Sequence, residues 1–194
     1  MKYELISELL RGAGLEVRER AVPSGLLPVT AAWLATSCRR EDGRRGVVVD
    51  LADPDLIEKA NVGWFDLACE FGLFDAEGDF LVGVDYAERD AVPILRWIRV
   101  RLLDGWDVVG RGAASGILGS QSGYPGFVML SLDENVILCG TTWQDSVGSI
   151  AVPFPHRVAM IREFLGRHIA APRVDPHERA EAERWFARHP EEPV

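Results

Sequence analysis

Lysine is nearly missing from this chain. Lys2 and Lys59 are the whole complement, and every other basic side chain is arginine or one of four histidines, a bias that suggests a GC-rich bacterial coding sequence. Long hydrophobic runs are missing as well. No stretch of about 18 uncharged apolar residues occurs, which excludes a helical membrane span. The opening MKYELISELLRGAGLEVRER carries Glu4, Glu8 and Arg11 where a secretory signal needs an unbroken apolar segment, so no export signal is expected. Cysteine is scarce: Cys38, Cys69 and Cys139 lie far apart, each among apolar neighbours. An odd count without an export signal favours buried thiols in a reducing cytoplasm over a disulfide framework.

What is present is enough apolar material for a core. Of 194 residues, 47% are hydrophobic, with eight Phe and six Trp, which excludes global disorder and suits one domain with an extension. Residues 1–170 read as a single α+β domain and 171–194 as a C-terminal linker and helix. The most apolar stretch, Phe127–Trp143, consists of two runs around Asp133-Glu134-Asn135, a break of hairpin composition, and predicts two antiparallel strands near the middle of a sheet.

Around this hairpin the chain alternates between helical and strand periods. Residues 2–11 and 56–71 carry apolar residues at every third or fourth place, with Asp53-Pro54-Asp55 as a helix start and Gly63 as a candidate kink. Leu26–Ser37 and Val47–Leu51 predict a hairpin through the Arg39–Arg45 turn. Phe80–Tyr86 and Leu95–Leu103 follow period two, the latter with Ile98, Val100 and Leu102 on one face and Trp97, Arg99 and Arg101 on the other. Asp104-Gly105 is a second candidate hairpin turn, with Trp106–Val109 pairing back. Gly110–Gly126, with six glycines, predicts a long flexible loop. After a strand at Ser149–Val152, helices are expected from about His156 to Gly166 and over His177–His189. The fold class that follows is α+β, with a largely antiparallel sheet flanked by helices.

No stretch is a complete catalytic or cofactor motif. Gly110-Arg111-Gly112-Ala113-Ala114-Ser115-Gly116 follows an apolar run as a phosphate-binding turn would, but what comes next is a poor helix. In Gly119-Ser120-Gln121-Ser122-Gly123 the middle position of a nucleophile elbow is Gln121 instead of Ser. Asp75, Glu77 and Asp79 are spaced like the first ligands of a calcium loop, yet Phe80 stands where glycine is needed and Tyr86 where Glu is needed. Cys139 and His156 could form a nucleophile and base, but a cysteine inside an apolar strand ordinarily packs as a small hydrophobe. The four histidines lack metal-ligand spacing. Neither a cofactor nor a metal is therefore expected.

Charge supplies the sharper functional signal. The net charge is −9, and the window Asp50–Asp90 holds twelve acids against Lys59 and Arg89, leaving the remainder near neutral. Such a field repels nucleic acid and attracts a basic protein. The expectation is a non-catalytic cytoplasmic protein-binding module without direct nucleic-acid or membrane contact, more consistent with a binder than with an enzyme. Its contact residues would be Asp75, Glu77, Asp79, Asp85, Glu88, Trp97, Arg99 and Arg101. The alternative is a small-molecule binder or small enzyme using loop 110–126 as a lid.

Two resemblances accompany this reading. The order from Tyr124 to Gly166 (apolar strand, hairpin, Asp145-Ser146 loop, short strand, Pro153-Phe154-Pro155, then a helix with Phe164) is similar to a small actinobacterial domain found beside helix-turn-helix regulators of development. It covers under a quarter of the chain and lacks that family's helix tryptophan and the basic residue after Asp-Ser. In size, acidity and lack of catalytic motifs the chain also resembles bacterial immunity proteins that neutralise a cognate toxin.

Overall fold

A computed structural model describes residues 3–19, 22–86, 94–120, 122–172 and 174–190. Seven antiparallel strands form one open sheet in the order β1 (Leu15–Glu19), β4 (Ile94–Leu102), β3 (Asp79–Tyr86), β5 (Phe127–Leu130), β6 (Val136–Thr142), β7 (Ser146–Pro153), β2 (Arg45–Asp50). The β5–β6 hairpin is central, as its composition predicts, and all four residues of β5 are buried. Helices cover both faces, so the molecule has three layers and two apolar cores.

On the first face lie α1 (Tyr3–Gly12) and α3 (Leu56–Phe71). They pack Ile6, Leu10, Trp64 and Leu67 on Phe80, Val82, Val100 and Met129. Trp64, Phe65, Phe74 and Trp106 form an aromatic group here, Phe65 stacking on Trp106 at 5.1 Å between centroids. Helix α3 is continuous through Gly63. The glycine serves close approach, because a Cβ there would lie 2.6 Å from Val47 Cγ1. The helix starts at Leu56, and Asp53 acts in the preceding turn by accepting from the Asp55 N–H at 2.9 Å.

The second face is covered by residues 26–38, α4 (Ala159–Ala170) and α5 (Pro176–Arg188). Here sequence and structure part. Leu26–Ser37 is not a strand but an apolar segment running into the short helix α2 (Val29–Ala32) and a 3-10 turn over Trp33–Ser37. A short, largely buried run has little polar face to display its period, and the alanine-rich sequence settles it as helix once a sheet lies beneath. β2 consequently pairs with β7 instead of with this segment. Trp106–Val109 likewise does not pair back. After the Asp104-Gly105 turn the chain forms a π-helical turn over Val108–Gly112. Loop 110–126 is packed, with Ile117 and Leu118 buried in the first core.

Helix α5 belongs to the body. Trp185 and Ala182 are fully buried in the second core. The tip of the β5–β6 hairpin clamps it: buried Glu134 accepts from the Leu27 N–H at 2.8 Å and pairs with Arg188, while Gly25 N–H donates to Glu181. Among the described residues, no helix is long and apolar enough to cross a membrane.

Candidate functional site

The structure brings five of the eight expected contact residues together, and it turns them inward on one another. Asp79, at the start of β3, is 1% exposed and lies opposite Arg101 of β4. Its carboxylate accepts from Arg99 Nε at 2.9 Å and from Arg101 Nε at 2.6 Å. Glu77 pairs with Arg101, and Asp75 lies 3.7 Å from Arg99. Burial alone would raise the Asp79 pKa, but the two guanidiniums outweigh it and hold the carboxyl below its ordinary range. Asp75 also fastens its own turn, its Oδ1 accepting from the N–H groups of Glu77 and Asp79 at 2.8 Å each. The calcium-like spacing is therefore a turn whose charges are answered by arginines on the neighbouring strand.

The other three expected residues do not join this cluster. Trp97 shares the face of Arg99 and Arg101, but it is buried in the second core and its indole N–H donates to the Leu27 carbonyl at 2.6 Å. Asp79 and Trp97 are thus interior residues, where the sequence reading expected them at the surface. Asp85 is exposed, six residues further along β3, about 20 Å from Asp79. Glu88 lies outside the described residues.

The described acids of the 50–90 window are divided between opposite faces of the sheet. Asp79 and Asp85 occupy one, while α3 carries its acids on the other. Asp53 pairs with Lys59 at 2.8 Å. Among the described acids of the window that make no ion pair, Asp50 and Asp85 stand singly, while the others fall in a row on α3 at helical spacing: Glu58, Val62, Asp66 and Glu70, each four residues after the last and all exposed. None of the three acids makes an ion pair among the described residues, and Val62 is 52% exposed between them. This row, with Ile57 beside it, is an acidic surface that the fold presents to solvent. The four-residue spacing was the signal for it, hidden by taking the window as one patch.

The remaining candidate chemistry is accounted for internally. The N–H groups of Gly110 and Arg111, which a phosphate would need, are each held at 2.9 Å by the Asp107 carboxylate, itself fixed by Asn61 at 2.7 Å. Cys139 is buried with Sγ 3.7 Å from the Ala32 carbonyl, and burial pushes its thiol pKa far up; the Cys38 thiol is pushed up to about 11 by the same cause. Neither thiol has the thiolate character that nucleophilic attack requires.

Two cavities stand out. One of about 280 Å³ lies between residues 22–29, Leu95–Trp97 of β4 and His177, Glu178 and Glu181 of α5. The other is a broader groove of about 820 Å³ between α4 and α5, with Arg157, Arg162, Arg188 and the stacked pair His156 and His189 along it. Residues 110–126 line neither, so the packed loop is not a lid over either of them. Compared with family models, with curated proteins and with solved structures, the chain has no match in any of the three.

Proposed function

We propose that the chain is a non-catalytic, cytoplasmic protein-binding module of the immunity or inhibitor type, and that it meets a basic protein through the outer face of α3. The observation that carries this reading is the exposed row Glu58, Val62, Asp66, Glu70: three carboxylates without an internal cation, on a helix anchored by Trp64 and Leu67. A rigid helix presents charge at a fixed spacing with little ordering cost. Exposed Ile57 and Val62 supply apolar contact between the charges. The Asp75–Asp79 turn, neutralised by Arg99 and Arg101, serves the fold instead.

The test is affinity capture from an extract of the native host with the full chain as bait. A protein partner is expected to be retained at low ionic strength and released by about 0.5 M salt. Triple reversal Glu58→Lys, Asp66→Lys, Glu70→Lys should abolish capture, whereas Glu77→Lys should leave it. Capture unchanged by the α3 reversal, or indifferent to salt, would overturn the assignment.

A further inference from the structure

The two edges of the sheet are built differently. β1, at one edge, has five residues, a register irregularity between Val17 and Glu19, and the charged side chains Glu16 and Arg18. Charge and irregularity are how an edge strand is kept from pairing with another chain. β2, at the other edge, has six residues in unbroken register with β7, contains three consecutive valines, and carries neither lysine nor proline.

The hydrogen-bond directions on β2 follow from the register. Arg45 faces Ala151 and Asp50 faces Ser146, and the Leu51 N–H donates to the Asp145 carbonyl at 2.8 Å in the same register. In an antiparallel pair, alternate residues bond to the neighbour. Arg45, Val47 and Val49 therefore face β7, while Gly46, Val48 and Asp50 direct their N–H and C=O groups away from it, toward the open edge. Val47 packs under Gly63 of α3, so Val48 projects from the opposite face, where it is 60% exposed. Beside it, Trp143, 39% exposed, lies over Gly148: a Cβ on that glycine would be 2.9 Å from the indole and 3.3 Å from Val48 Cα. Val48 and Trp143 thus form one apolar patch along a strand edge where the ladder groups of Gly46 and Val48 are open and the Asp50 C=O accepts from the Asp53 N–H at 3.0 Å.

We propose that β2 pairs antiparallel with β2 of a second copy of this chain. The sequence of the strand is complementary to itself in that arrangement. With Val48 opposite Val48 of the second copy, Gly46 falls opposite Asp50. Every outward N–H then faces an outward C=O about a two-fold axis: Val48 and its copy exchange two main-chain hydrogen bonds, and Gly46 and Asp50 exchange the others, with the Asp50 C=O shared with the Asp53 N–H it already accepts from at 3.0 Å. Residues facing one another have the same parity, so each face of one sheet continues into the same face of the other. The charges match as well. Arg44 lies two residues from Gly46, diagonal to Asp50 of the second copy and on the same face, and the axis repeats that pair. The arginine-bearing start of each β2 runs beside the Asp50 end of the other, while Asp53 and Asp55 further on are paired with Lys59. The product is a continuous sheet in which the two Val48 side chains shield each other near the axis, with a Trp143 on either side.

Sedimentation of the full chain tests the proposal. Wild type is expected to shift from monomer to dimer as concentration rises toward about 200 µM. Val48→Lys places like charges opposite each other at the axis and should hold the protein monomeric at that concentration; its unfolding midpoint is measured alongside to confirm that it folds. Arg18→Glu, at the other edge, should dimerise as wild type does. Amide exchange gives an independent reading on the unmodified protein: the Gly46, Val48 and Asp50 N–H groups should become protected with rising concentration. A wild-type chain that stays monomeric at about 200 µM, a Val48→Lys chain that dimerises as tightly as wild type, or edge amides that exchange freely in the dimer would each overturn it.

Discussion

At the scale of single residues, Asp79 at the start of β3 and Glu77 in the turn before it illustrate how burial decides what a charge contributes. Asp79 is enclosed and holds two guanidiniums, while Glu77 pairs with one of them from an exposed position. Removing Asp79 leaves Arg99 and Arg101 partly buried without their shared acceptor, so Asp79→Ala should cost about 2 kcal/mol in urea unfolding. Glu77→Ala should stay within about 0.5 kcal/mol. Equal effects from the two would show that the cluster is a surface network and not a clamp. His189 adds a pH dependence. Burial, assisted by the positive charge of Arg188 and Arg162 and by His156, outweighs the attraction of Glu134 and lowers its pKa in the folded protein. The unfolded chain, titrating near 6.5, then binds the proton more readily, so stability rises with pH through the window below that value. The thermal midpoint is expected to fall on acidification from about pH 7.5 to about pH 5, and His189→Phe, which keeps the ring contacts, should flatten that fall. Asp79 acts lower: its contribution is present above the ordinary carboxylate range and is lost as pH drops through the depressed folded value.

At the scale of elements, periodicity was legible where one face of an element meets solvent. The alternation of β4 and the three-to-four spacing of α3 correspond to what formed, down to the sides taken by Ile98 and Arg99. It failed where most of a short run is buried. Leu26–Ser37 and Trp106–Val109 are largely enclosed, and for such runs tertiary contacts choose the conformation. The place of α5 was illegible for another reason. Its clamp joins Glu134 to Arg188 and Gly25 to Glu181, pairs so distant in sequence that no local pattern marks them. Trp185 is the packing side of that clamp, and Trp185→Ala should destabilise the protein by about 3 kcal/mol and expose α5 to early cleavage in limited proteolysis. A stability within about 0.5 kcal/mol of wild type, with α5 uncut, would contradict the assignment of α5 to the core.

At the scale of the whole molecule, composition correctly marks an acid-rich fifth of the chain but not how folding distributes it. Strand β3 and helix α3 lie in adjacent stretches of sequence, yet they place their acids on opposite faces of one sheet. Arginines from β4, beyond the window's dense part, neutralise one share. Among the described residues, what gathers into one surface is narrower than the sequence suggests: a helical row on α3 with apolar residues beside it. Electrostatic docking through such a row acts mainly on the rate of encounter. The most direct measurement is therefore the association rate of the captured partner with wild-type and α3-reversed protein at about 50 mM and about 500 mM salt. The account predicts a wild-type rate that drops at least about tenfold with salt and a reversed protein that associates slowly at both. Equal association rates for the two proteins at low salt would contradict it.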